Sequence, residues 1–247
     1  MLFVAHLSDC IVHACERRNE RFVGSLVPLI GMHPLQDGGS PHEPGRPQAF
    51  LVRQAPGHAL RVHCHPAQQF QLVTAGSGVI GKHPLQPVSL HYASRESGYG
   101  PLVAGEEGLD YYTIRAQGTR ETWFLPDQRG RLTAGLHKRH AYGGPVPCSN
   151  DAQRRERCEP ACELLLRAED GAAAWMLRLP AGAPVAPEMA HAATTRFCYV
   201  ASGGVQCEGR SLQAGDLVAE QGGSAAACMR AGDEGADMVI MQFPPVT

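Results

Sequence analysis

The feature that most limits what this chain can fold into is that it repeats itself. With residue 69 set against residue 196, an offset of 127, residues 69–110 run against 196–237 without a gap. Phe70/Phe197, Val73/Val200, Gly76/Gly203, Leu85/Leu212, Gln86/Gln213 and Leu90/Leu217 are identical, and so are Ser97/Ser224, Ala104/Ala231, Gly105/Gly232, Glu107/Glu234, Gly108/Gly235 and Asp110/Asp237. Self-similarity at one fixed offset means two copies of one structural unit.

The local pattern says what kind of unit. AFLVRQ, ALRVHCH, FQLVTAG, VSLHYAS and LDYYTIRA are short runs rich in β-branched and aromatic residues, separated by Gly or Pro. CELLLRA, AAAWMLRLP, TRFCYVAS, DLVAEQ and ADMVIMQFP repeat that character later. With 28 glycines and 19 prolines spread along the chain, turns and short strands are expected rather than long helices. An antiparallel unit of this size must protect its edges and bury one face of each strand, which a double-sheet jelly roll or a small barrel achieves. The fold expected is therefore all-β, with two β-barrels in one chain.

Around the copies the reading is coarser. Residues 1–48 are expected to be an N-terminal extension, with a short helix carrying Leu2, Val4, Leu7, Ile11 and Val12, then a turn-rich arm holding His33 and His42. Residues 49–118 make the first barrel, 119–162 a surface linker containing the basic turn His137–His140, and 163–247 the second barrel. In the pair Tyr111 and Tyr112, alternation along a strand sends one ring inside and the other outside. His83 follows a turn glycine and is expected to be exposed.

Composition excludes several function classes. A net charge of −2 offers no basic surface for nucleic acid or an anionic membrane. No run of about 18 apolar residues could span a bilayer, and the first residues lack the basic start of a signal peptide. The nine cysteines include no CxxC pair, and reduced thiols in a cytoplasmic protein are expected. A small-molecule ligand and a homodimer are the partners expected.

Chemistry concentrates in Gly57–Gly76, GHALRVHCHPAQQFQLVTAG. If this stretch is extended, His63 and His65 project from one face. Two imidazoles with an amide oxygen from Gln69 nearby could form most of a metal site.

Gly57-x5-His63-x-His65-x3-Gln69-x6-Gly76 resembles the first motif of the cupin family, with Gln69 where the family usually carries Glu. The internal repeat locates the second motif: Gly215-x5-Gln221-x-Gly223-x2-Ala226 corresponds to Val88, Ser94, Glu96 and Tyr99 in the first copy. The resemblance, over about 49–116 and 163–243, implies two jelly-roll barrels, each with a pocket between its sheets. It implies a metal site in the first pocket from His63, His65, Gln69 and Tyr99, with His91 as a fallback ligand and Glu96 near the rim. Iron, manganese, nickel or zinc would suit such a site, and a pocket without metal is an equally open reading.

The second copy places Ala190, Ala192, Arg196 and Ala226 at the matching positions. Its nearest alternatives, Glu188 and His191, do not restore the His-x-His pattern, so the second barrel is expected to lack a metal and to offer at most Arg196 as an anion contact. By analogy with the family, the leading expectation is a metal-dependent, dioxygenase-like enzyme on a small oxygenated or carboxylated molecule, with isomerase or lyase chemistry next. The alternative is a non-catalytic binding or sensing protein.

Overall fold

The structure is a computed structural model, and it describes residues 1–31, 45–185, 195–221 and 229–244. The expectations for His33, His42, Glu188, Ala190, His191, Ala192, Gly223 and Ala226 fall outside those residues. The described chain is almost wholly antiparallel β-sheet and forms two compact units. One is Cys10–Val146; the other joins Met1–Asp9 to Pro147–Thr247.

In the first unit a nine-stranded sheet runs in the order His140–Gly143, Ser89–Ala93, Gln69–Ile80, Leu102–Arg115, Gln48–Gln54, Val23–Ile30, Cys15–Arg18, with Ala59–Leu60 and His83–Leu85 attached beside this path. A separate two-stranded pair joins His63–Cys64 to Trp123–Phe124. In the second unit a seven-stranded sheet runs Leu2–Ala5, Leu217–Gln221, Thr195–Cys207, Met229–Gln242, Ala173–Leu179, Ala161–Arg167, with Arg210–Gln213 beside it.

The repeat is visible as register. Leu109 lies opposite Gly76 and Ala236 opposite Gly203, pairs related by the same offset of 127. The next pairs, Asp110 with Ala75 and Asp237 with Ser202, are followed by the same one-residue irregularity in both units. Such a bulge leaves an extra residue on one strand and sharpens the local bend. The shared glycines serve it: Gly76 and Gly203 have φ of 71° and 74°, and a Cβ on either would collide with the carbonyl oxygen of Gly108 or Gly235. Gly76→Ala is expected to destabilise the fold by about 2 kcal/mol or more, because it adds left-handed strain to that collision; a denaturant midpoint lowered at unchanged slope would show it.

Each unit has its own core. In the first, Val52, Val73, Ile80, Leu102, Leu109 and Tyr111 cluster on one face of the sheet. In the second, Trp175, Leu177, Val200, Val218, Met238 and Ile240 do so. Burying one such side chain contributes about 1.5–3 kcal/mol, so these clusters carry much of each unit's stability. Tyr111 and Tyr112 are both buried, so neither ring is outside as alternation alone suggested.

Several expectations at the edges fail for one reason: short segments gain sheet partners that local sequence does not reveal. Within residues 1–22 helical structure is confined to Leu7–Cys10 and a 3-10 turn at Ile11–His13. Leu2–Ala5 pairs with Leu217–Gln221, and Leu7–Cys10 makes a single turn. The buried carboxylate of Asp216 ties this start down by accepting the Leu7 amide at 2.9 Å and meeting His6 Nδ1 at 3.0 Å. Cys15–Arg18 and Val23–Ile30 are strands of the first unit rather than an extension. The supposed linker supplies Trp123–Phe124 and His140–Gly143 to that unit, so His140 is not in a free basic turn. His83 is half-buried, with its ring stacked on Tyr142 at 3.7 Å. ALRVHCH is broken into Ala59–Leu60 and His63–Cys64.

Candidate functional site

The first unit holds a cavity of about 420 Å³ on the core face of its sheet. His63, His65, Gln71, Tyr99, Arg115 and Phe124 contribute to its walls. His63 and His65 both face this space, their rings 5.3 Å apart and nearly perpendicular. Tyr99 stands against them, its ring 4.4 Å from that of His63. Backbone pairing brings it there: His63 and Tyr99 exchange N–H···O bonds at 3.1 and 3.0 Å.

Each imidazole is held through Nδ1. The acceptor is the carbonyl oxygen of Arg61 for His63 and of Glu121 for His65, both at 2.7 Å. A carbonyl oxygen only accepts, so each Nδ1 is assigned the proton and each Nε2 keeps a lone pair. Burial pushes His63 down to about 4, outweighing the Arg61 bond, and takes His65 well below the usual histidine range, with the Arg115 charge adding to both. Both rings are neutral at pH 7. Burial also raises Tyr99, so its phenol stays protonated.

Arg115 is the residue that sequence reasoning missed. It ends the strand Leu102–Arg115 and is 4% exposed. Its Nε donates to Gln69 Oε1 at 3.1 Å, and Nη1 donates to Gln48 Oε1 at 2.7 Å and to the Thr119 carbonyl at 3.1 Å. Its guanidinium also lies over the Phe50 ring, 5.5 Å from the centroid. Nη2 lies 3.2 Å from His65 Nδ1, but that nitrogen already donates to Glu121, and two donors do not bond. One Nη2 hydrogen is therefore spent facing His65 Nδ1, and only the other is left without an acceptor among the described residues. No carboxylate pairs with Arg115 among them either. Burial lowers the guanidinium to about 10, which leaves it charged at neutral pH.

The second unit shows how such a charge is otherwise handled. Gln69 precedes Phe70 and Arg115 follows Ile114, so the two stand one step along the antiparallel ladder from that pair. The matching positions hold Arg196 opposite Gln242, the same two residue types exchanged. There Arg196 Nη1 meets Glu220 at 3.6 Å, so the candidate anion contact already faces a carboxylate of its own unit. Glu220 corresponds to Ala93 in the first copy, which supplies no counter-ion.

The other expected site residues are committed elsewhere. Gln69 donates through Nε2 to the Tyr99 hydroxyl at 2.5 Å while Oε1 accepts from Arg115, so its amide is engaged at both ends. His91 lies beside Tyr99, ring to ring 4.9 Å, but Nδ1 meets Gln71 Oε1 at 2.8 Å and Nε2 meets His140 Nδ1 at 3.2 Å. Both its nitrogens are used, so it is not a spare ligand. Glu96 does not line the cavity; its carboxylate accepts the Thr133 amide at 2.6 Å and hydroxyl at 3.0 Å.

These donors do not complete a divalent-metal site. Two neutral imidazoles are present, but the amide is occupied, the phenol is held neutral, and the nearest formal charge is positive. Among the described residues no cluster of three or more His, Cys, Asp or Glu could hold an ion. Only the two Nε2 atoms of His63 and His65 are left for a cation, fewer than the three or four protein ligands that such sites use.

No protein-family model matches the chain, and no curated protein does. Solved structures do match. Salicylate 1,2-dioxygenase from Pseudaminobacter salicylatoxidans is 12% identical over 98% of this chain and 83% of its own, with a TM-score of 0.57. A bacterial pirin from Escherichia coli, in complex with nickel(II), is 13% identical over all of both chains, with a TM-score of 0.56. The formate complex of oxalate decarboxylase from Lactobacillus farciminis is 12% identical over 99% and 86%, with a TM-score of 0.55. The fold is thus that of the cupin jelly rolls. No helix among the described residues is long and apolar enough to cross a membrane.

Proposed function

We propose that the pocket of the first unit binds a small molecule through a carboxylate, with Arg115 as the charge that holds it. One observation carries this: a buried guanidinium, pinned on three sides, with an N–H group unused and no counter-ion among the described residues. A buried cation without a partner is unfavourable, and a carboxylate entering the pocket removes that penalty while taking a charge-assisted hydrogen bond from Nη2. Gln48, Gln69 and the Thr119 carbonyl fix the fork beforehand, so little ordering is lost on binding. Tyr99 already accepts from Gln69, which leaves its O–H free to donate. The bare Nε2 atoms of His63 and His65 suit a hydroxyl on the same ligand. A carboxylate bearing a neighbouring hydroxyl fits this set of donors and acceptors. Two of the structural neighbours are named for carboxylates, salicylate and oxalate.

Benzoate and its neutral isostere benzamide test the reading. Benzoate is expected to raise the melting temperature and to give a saturable calorimetric titration, and benzamide to do neither. Equal effects, or none from benzoate, would overturn it.

A second reading, a metal-dependent enzyme of dioxygenase-like character, is favoured by the anchoring of both imidazoles through Nδ1. Metal-binding histidines are commonly oriented in this way. It requires at least one ligand beyond the two imidazoles. Elemental analysis of purified protein separates the two: stoichiometric metal that disappears in His63→Ala and His65→Ala supports this second reading.

A further inference from the structure

The sheet under the pocket carries its side chains in rows, and the rows differ in chemistry. The first holds Gln69, Arg115 and Gln48, with Arg115 opposite Gln48 and bonded to Gln69. Two residues along, about 7 Å of backbone, Thr113 lies opposite both Gln71 and Phe50 on the flanking strands. Two residues further, Tyr111 lies opposite Val73 and Val52, and Val52 lies opposite Leu26. Alternate residues of a strand share a face, and Arg115, Thr113 and Tyr111 all line the cavity. Beside Arg115 the floor is thus polar at Gln71 and Thr113, then apolar at Tyr111, Val52 and Leu26.

The middle row holds polar atoms that no described residue engages. Gln71 and Thr113 line the cavity and are only 5% and 4% exposed. His91 Nδ1 meets Gln71 Oε1 at 2.8 Å, and His91 Nε2 meets His140 Nδ1 at 3.2 Å. That chain fixes the Gln71 amide and leaves its Nε2 without a hydrogen-bond partner among the described residues. The Thr113 hydroxyl has none among them either. Polar groups left unpaired beneath a bound ligand are costly, so these two are matched to a polar atom that the ligand brings.

We infer that Gln71 and Thr113 form a second polar seat, which selects a carboxylate carrying a hydroxyl on the side of the molecule away from its charge. The inference rests on the carboxylate reading above and narrows it to a hydroxylated ring acid. One row of the sheet, about 7 Å, is about the span of a six-membered ring with its substituents. A hydroxyl suits both side chains, accepting from Gln71 Nε2 and donating to Thr113 Oγ1. This hydroxyl is distinct from one adjoining the carboxylate, which the bare Nε2 atoms of His63 and His65 would receive. A methyl group in its place leaves both Gln71 and Thr113 unpaired, so the seat rejects it more strongly than one hydrogen bond alone would.

Calorimetric titration with 3- and 4-hydroxybenzoate and with 3- and 4-methylbenzoate tests this, since each pair differs little in shape. At least one hydroxybenzoate is expected to bind about tenfold more tightly than its methyl counterpart. Thr113→Val, which keeps the shape of the side chain, should reduce that ratio to about threefold or less. Gln71→Met should reduce it too; this variant also takes the acceptor from His91, so its melting temperature should fall. A methylbenzoate that matches its hydroxyl counterpart at both ring positions would overturn the second seat and leave Arg115 as the anchor. So would a preference that persists unchanged in both variants. Binding of none of the four, together with failure of benzoate, would overturn the carboxylate reading itself.

Discussion

Arg115→Met is expected to weaken benzoate binding by about a hundredfold or more. The variant removes the charge and the unused N–H group together. At an effective dielectric of about 20, a pair of unit charges about 4 Å apart is worth about 4 kcal/mol, and about 2.7 kcal/mol is already a hundredfold. Arg115→Lys keeps the charge but not the planar fork, so it should fall between the two, with binding retained at lower affinity. Variants of a purely structural arginine would lower the melting temperature without moving ligand affinity relative to charge. Wild-type affinity should be level from about pH 7 to 9, because the Arg115 guanidinium keeps its proton throughout that range. The group is a base, and only its protonated form attracts the anion. Calorimetry across that pH range on the wild type and both variants reads all three expectations.

The repeat seen in the sequence reappears in the structure almost residue for residue, because the identities sit where backbone geometry leaves no choice. Gly76, Gly108, Gly203 and Gly235 all have positive φ at equivalent bulges, and only glycine adopts that conformation without strain. His63 and His65 were legible for a related reason, since their spacing alone puts them on one wall. Arg115 was not. A charge at the end of LDYYTIRA looks like a strand running out into solvent. Nothing local says that Gln69, 46 residues earlier, meets it through the pairing of two long strands.

The pocket walls from Cys15–Arg18 and Trp123–Phe124 were hidden by their length. Strands of four and two residues are too short for periodicity to show, and Trp123–Phe124 finds its partner far back in the chain, at His63–Cys64. Spacing singled out Gln69 and the internal repeat singled out Tyr99, but neither indicated the contacts the two make. Their hydrogen bond to each other, and that of Gln69 to Arg115, depend on side-chain geometry that no spacing encodes.

Gln69→Glu is expected to exchange the pocket's anion binding for metal binding. The substitution is nearly isosteric and places a carboxylate where the amide oxygen lies, 3.1 Å from Arg115 Nε. Arg115 would then have an internal counter-ion, as Arg196 has in Glu220. A negative charge about 5.5 Å from an incoming anion repels it by about 3 kcal/mol at an effective dielectric of about 20, so benzoate affinity should fall about a hundredfold. Tyr99 loses the Gln69 donor but can turn its O–H toward the new carboxylate, so the pair stays satisfied. The same change adds the anionic ligand that His63 and His65 lack, and two histidines with one carboxylate are a recognised set for divalent transition metals. Titration with nickel(II) should therefore show binding at least about tenfold tighter in Gln69→Glu than in the wild type, lost again in Gln69→Glu, His63→Ala. If benzoate affinity is unchanged in Gln69→Glu, the charge on Arg115 is not what the pocket uses to hold anions. If benzoate is lost and nickel is not gained, the new carboxylate is engaged by Arg115 alone, and the imidazole pair serves the ligand rather than a metal.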